Sequence, residues 1–180
     1  MNPFAKARTT FACVCLLLGA WAIAPASPQA TEASVRQAAE TAFAQLRSGD
    51  YAALYEALPA ASQRRITRER FTSALNRSRR MYELDRLEIG AVGVAGDAAA
   101  IDTTIYGRVL EPMQGEGKIE VRQYLMREAG RWRVVTDDRA AVRRILAANK
   151  TLARRFPTGE PRVFIKQDGR WKRISRTEKN

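Results

Sequence analysis

The chain has 180 residues, 31 Lys plus Arg against 19 Asp plus Glu, a formal net charge of +12 and no His. Without His it lacks the usual general base, the commonest metal ligand and the usual partner of a nucleophilic Ser or Cys, which argues against hydrolase triads and His-ligated zinc. A chain of about 150 residues buries enough apolar surface to fold without staples, so no disulfide, metal or cofactor is expected.

Lys6 and Arg8 precede an apolar run over 11–24, followed by Pro25, Ala26, Ser27 and Pro28. That order of basic, apolar and small-residue regions predicts a secretory signal peptide over 1–26, cleaved after Ala26 or as late as Ala30. The predicted location is periplasmic or secreted. The alternative is an uncleaved membrane anchor, against which the run falls short of about 18 apolar residues. Cys13 and Cys15 both lie in the run, so the cleaved chain has no cysteine and depends on its core alone.

The spacing of Val35, Ala39, Ala42, Phe43 and Leu46 predicts an amphipathic helix over 32–47, ended by Gly49. Asp50 caps a short second helix over 51–58 that Pro59 stops. Thr67 caps a third, running to about Tyr82, with Phe71, Ala74, Leu75, Ser78 and Tyr82 as its inner stripe. Four strands follow. Leu87, Ile89 and Ala91 share one side of the first, and 94–97 forms a tight connection. Ile101, Thr103 and Ile105 alternate with Asp102, Thr104 and Tyr106 in the second. After a loop over 112–117, Ile119, Val121, Gln123 and Leu125 alternate with Glu120, Arg122, Tyr124 and Met126; Ala129 and Gly130 then turn the chain into a strand containing Trp132 and Val134. Helices followed by a meander predict an α+β fold, with N-terminal helices packed on the buried face of a curved, cone-shaped antiparallel sheet whose other face is wet.

The Ser48-Gly49-Asp50-Tyr51 junction, the hairpin over 94–99 and the closing Arg127-Glu128-Ala129-Gly130-Arg131-Trp132-Arg133-Val134 resemble the cystatin-like cone fold of the nuclear transport factor two-like superfamily, as an exported bacterial-type member, over 31–138. The resemblance implies an apolar pocket between helices and sheet, and homodimers through the outer sheet face. It implies no single activity, since the superfamily includes isomerases, cyclases and non-enzymes. The residues placed around such a pocket are Tyr51, Tyr55, Phe71, Tyr82, Ile101, Thr103, Ile105, Gln123 and Trp132. An enzyme of this kind needs a carboxylate or His inside the cone. Alternation leaves only Thr103 and Gln123 as inward polar groups on the strands and sends Asp102, Tyr106, Glu120, Arg122, Tyr124, Arg131 and Arg133 outward. No catalytic residue is therefore assigned. A bulge that reversed the faces locally would bring Asp102 inside.

Residues 31–138 hold 16 basic and 16 acidic residues, whereas 139–180 hold 13 and 3, so the positive excess sits in a C-terminal extension. Its period predicts one helix over 139–156, with Val142, Ile145, Leu146, Leu152 and Phe156 along one side. Val163 to Ile174 then reads as a hairpin closed by Asp168-Gly169, with Gln167 facing Arg170, Lys166 facing Trp171 and Phe164 facing Arg173. Either the helix lays its apolar stripe on the cone with its cations solvated, or Arg143, Arg144, Lys150, Arg154 and Arg155 bind an anionic envelope component or acidic protein. The export signal makes nucleic acid the less suitable polyanion. The functional expectation is a non-enzymatic binding or assembly module. Its alternatives are a carrier of a small apolar ligand or lipid, and an isomerase- or cyclase-like enzyme.

Overall fold

The structure, a computed structural model, describes residues 28–111, 114–135 and 138–174. The expected signal peptide and both cysteines lie outside the described residues, as does Pro112. Among the described residues no helix is long and apolar enough to cross a membrane.

Among the described residues four helices come first: α1 (Pro28–Ser48), α2 (Tyr51–Glu56), α3 (Ala60–Gln63) and α4 (Arg68–Ser78). Gly49 takes φ +83 at the end of α1, and its N–H and that of Asp50 both donate to the Gln45 carbonyl. Left-handed geometry here costs glycine little. The caps fall where the sequence places them: the Asp50 carboxylate accepts from Ala53 N at 3.1 Å, and the Thr67 hydroxyl from Arg70 N at 3.3 Å. The helix expected to run to Tyr82 ends at Ser78, because Tyr82 is taken into strand pairing with Val109.

β1 (Tyr82–Ala95), β2 (Ala98–Val109), β3 (Gly115–Glu128) and β4 (Arg131–Val135) form an antiparallel meander. β3 begins at Gly115, inside the expected loop, since Gly115 and Gly117 pair with Val109 and Gly107. Two bulges interrupt β1, each adding one residue between Leu84 and Arg86 and between Ile89 and Val92. The second corrects the predicted side of Ala91: beyond the bulge Val92 turns inward and is buried, while Ala91 is exposed. Both bulges free backbone carbonyls, and α1 supplies donors for them: Arg47 bonds the Asp85 carbonyl at 2.9 Å and Arg36 that of Gly90 at 3.2 Å.

The predicted 139–156 helix is two helices, α5 (Arg139–Ala148) and α6 (Lys150–Arg155). Asn149 breaks it with φ −128 and ψ 75, and its side-chain amide donates to the Ile145 carbonyl at 2.8 Å. The hairpin β5 (Arg162–Gln167) and β6 (Arg170–Ile174) has the expected register, and its turn residues Asp168 and Gly169 both have positive φ. β5 pairs with the N-terminal part of β3, over Gly117–Glu120, so the extension enters the same sheet, ordered β1-β2-β3-β5-β6 with β4 on the far end of β3.

Two cores result, one on each face. On the inner face Val35 and Ala39 of α1 pack on Val92, Ala99, Ile101, Leu125 and Val134. The outer face, expected to be wet, is buried at its hairpin end: α5 and α6 lay Ala141, Ile145, Leu152 and Phe156 over Ala98, Ala100, Tyr124 and Val135. Phe156 is 1% exposed and lies over Gly93, where an added Cβ would stand 2.2 Å from its ring.

Candidate functional site

The residues expected around an inner pocket fall into three groups. Ile101, Thr103, Ile105 and Gln123 share the inner face, where the Gln123 amide donates to the Thr103 hydroxyl at 3.3 Å and Thr103 donates to the Val121 carbonyl at 3.0 Å. These polar groups are thus partnered locally. Tyr55 spends its hydroxyl on the carbonyls of Gln63 and Ile66 and packs its ring against Phe71, while the Tyr82 hydroxyl meets Ser78 at 3.4 Å. Tyr51 is buried. Trp132 donates its indole N–H to Ser34 of α1 at 2.9 Å and lines a concavity of about 310 Å³ between α1, the end of α2 and β4.

The inner face is apolar but incompletely covered. α4 buries none of its side chains, and Ile119, Val163 and Ile174 remain 39%, 38% and 41% exposed at the end of the sheet farthest from α1. Sequence reasoning missed this open floor because alternation says which face a residue takes and not how far a helix reaches over it.

Asp102 lies on the outer face. The β1 bulge stands opposite it, yet the extra residue is in β1 and the facing of β2 is unchanged. Its two carboxylate oxygens accept from Arg122 at 2.6 and 3.1 Å, and a third Arg122 donor reaches the Pro157 carbonyl at 2.7 Å. Glu120 accepts from Lys118 at 2.9 Å and Arg162 at 2.8 Å. The Lys118 hydrogen bond, outweighing burial, holds its carboxyl below the usual carboxylate range. A carboxylate held ionised in this way, as Glu120 is, makes a poor proton donor near neutral pH. Asp102, Glu120, Arg122 and Arg162, with Glu88, Thr104, Glu160 and others, line a concavity of about 560 Å³ on the outer face. Among the described residues, no set of three carboxylate, His or Cys groups converges as a metal site requires.

Beyond α6 the outer face carries a transverse row, one residue per strand: Arg86, Tyr106, Lys118, Phe164 and Arg173. Arg86 stands 3.7 Å from the Tyr106 ring centroid and Lys118 4.7 Å from that of Phe164. The hairpin pattern revealed the Phe164 and Arg173 end of this row from sequence; the pairing of β5 with β3 supplies the rest.

The expected anion-binding set is brought together on the outward side of α5 and α6. Arg143, Arg144, Lys150, Arg154 and Arg155 are all exposed. Among the described residues none has a carboxylate within ion-pair distance; Arg155 lies 5.2 Å from the Phe156 ring centroid. The helices that carry them are fixed at both ends. At the start, Asp138 caps α5 by accepting from Ala141 N at 2.9 Å and also takes a hydrogen bond from Arg65. At the end, the Tyr124 hydroxyl, whose pKa burial pushes up, donates to the Phe156 carbonyl at 3.2 Å.

The Ala141 N–H and then Arg65 hold the Asp138 carboxyl below its ordinary value, against the effect of burial. A depressed folded pKa means that the contribution is fully present above about pH 4 and is lost as pH falls through the folded value. Asp138→Ala is expected to cost about 1 kcal/mol at pH 7, a difference from wild type that shrinks on acidification below pH 4. Urea midpoints measured across that range check it.

No family model matches the chain, and no curated protein matches it. Solved structures similar to it include a SEC-C motif containing protein from Rhodopseudomonas palustris, 12% identical, covering 58% of this chain and 77% of that one, with a TM-score of 0.47. Another is an NTF2-like protein with a cystatin-like fold from Novosphingobium aromaticivorans, 17% identical over 63% of this chain and 87% of that one, TM-score 0.39. A third is an LEH-like epoxide hydrolase of M. tuberculosis, 19% identical over 73% and 100%, TM-score 0.38. Their descriptions include the NTF2-like and cystatin-like names that the sequence motifs resemble. The helix-on-curved-sheet architecture itself rests on the strand register above, and no activity is carried over from these proteins.

Proposed function

We propose that this chain is an exported, non-enzymatic binding or assembly module that holds an anionic envelope partner on the cationic side of α5–α6. The observation that carries the reading is the division of labour in those helices. Their apolar stripe is spent on the outer sheet face, while all five outward cations are exposed and, among the described residues, have no carboxylate within ion-pair distance. With no apolar side left to insert, the partner is held by charge alone, and the attraction weakens as salt rises. Export rests on the leader read from 1–26.

The test is binding to vesicles containing phosphatidylglycerol, compared with neutral vesicles and with envelope fractions. Replacing Arg143, Arg144, Lys150, Arg154 and Arg155 together by Gln is expected to abolish binding, and wild-type binding is expected to fall steeply once ionic strength exceeds about 0.15 M. Binding unchanged by the five substitutions removes the reading.

A second reading is favoured by the open inner floor. Ile119, Val163 and Ile174, each more than a third exposed, adjoin the half-buried Leu87, Ile105 and Val121 on one face, the surface a carrier of a small apolar ligand or lipid offers. Native mass spectrometry of the purified protein is expected to show a co-purifying lipid or metabolite in that case; a ligand-free spectrum counts against it.

A further inference from the structure

We propose that the open edge of β6 accepts an acidic, extended segment of another protein as an added strand. Among the described residues β6 ends the strand order β1-β2-β3-β5-β6, and along such an edge alternate residues turn their backbone N–H and C=O away from the sheet. Adding a strand there satisfies those groups. The two ends of the sheet are treated differently. β1 is interrupted by two bulges whose carbonyls are taken by Arg36 and Arg47 of α1, devices that blunt an edge. β6 pairs with β5 in unbroken register, and all its residues except Trp171 are exposed.

Its side chains select the occupant. The register puts Trp171 and Arg173 on the outer face and Arg170, Lys172 and Ile174 on the inner one. An added strand therefore meets cations on both faces, with Trp171 and Ile174 offering apolar contact between them. Among the described residues Arg170 and Arg173 have no ion pair. Lys172 has a loose one, 3.8 Å from an Asp168 carboxylate that is 92% exposed. A second copy is a poor occupant, since two β6 edges would set cations opposite cations. An acidic strand turns the same arrangement into cross-strand attraction.

The probe is a synthetic peptide of about ten residues alternating Glu and Thr, titrated into the full chain by fluorescence anisotropy, with amide hydrogen exchange read on β6. The expected result is saturable binding with new protection at β6 amides. N-methylating one Thr and the Glu that follows it keeps the charge and removes a strand donor whichever edge of the peptide faces β6, and is expected to weaken binding roughly tenfold or more. Lys172→Glu with Arg173→Glu is expected to do the same without lowering the melting temperature. The five-Gln variant of α5–α6 is expected to bind the peptide as wild type does, which separates this proposal from the one above. Absence of binding overturns the proposal. So does equal affinity for the N-methylated peptide, or loss of binding in the five-Gln variant with retention in the β6 variant.

Discussion

Phe156→Ala is expected to destabilise the protein by about 3–5 kcal/mol, the range for deleting a buried aromatic side chain. The ring is 1% exposed at the end of α6, over the Gly93 notch and beside Leu152 and Tyr124. Three further contacts converge on the same two residues. Arg122 stands 5.2 Å from the ring centroid and donates to the Pro157 carbonyl, and Tyr124 donates to the carbonyl of Phe156 itself. Removing the ring takes away the apolar anchor and the Arg122 contact with it, and leaves the two hydrogen bonds to hold the segment. Hydrogen exchange is expected to show α5 and α6 losing protection first, while the inner core around Ile101 and Leu125 keeps its own. A loss under about 1 kcal/mol, or uniform deprotection of both faces, would show that the outer core is not organised around this ring. The result also bears on function: a released α5–α6 no longer presents its five cations as one surface, so vesicle binding is expected to weaken although every cation is retained.

Much of this layout was legible in the sequence because it follows from strict periods and a few special residues. Period-two alternation put Ile101, Thr103, Ile105, Ile119, Val121, Gln123 and Leu125 on one face, and the two-residue turns at Ala129-Gly130 and Asp168-Gly169 fixed their hairpins' registers. Caps at Asp50 and Thr67 were readable for the same reason, since each places one oxygen within reach of one orphan N–H. What escaped has a different cause. A bulge adds one residue without changing composition; Gly90 is a strand glycine of the kind that often marks one, but Gly93 carries the same signal, so the sequence did not single out the step between Ile89 and Val92 as the place where the facing changes. The outer core did leave a signal: Ala98, Ala100, Tyr124 and Val135 are outward-facing and apolar or aromatic, and they lie between Arg133 and Glu128 on one side and Asp102 and Arg122 on the other. Reading that half-strand separately would have located the seat of α5–α6. Of the candidate sites, the five cations were legible because exposure follows from helical period. The bare inner floor was not, because helix reach is a tertiary property.

Gly93→Ala tests the same seat from the sheet side, and its sign is expected to depend on its neighbour. A Cβ at this position would stand 2.2 Å from Cε2 and 2.9 Å from Cδ2 of Phe156, so the ring must move, at a cost of about 1–3 kcal/mol for overpacking. The backbone raises no objection of its own, since Gly93 is not among the glycines with positive φ. In the Phe156→Ala background the space is vacated, and there alanine is expected to be neutral or to stabilise the strand by about 0.5–1 kcal/mol, because glycine is a poor strand interior residue. The double-mutant cycle should therefore return a coupling of about 1–4 kcal/mol, against a few tenths for independent positions. Denaturant melts of the four proteins measure it. Equal effects of Gly93→Ala in both backgrounds would mean that the ring does not lie against this strand and that α6 sits elsewhere on the sheet.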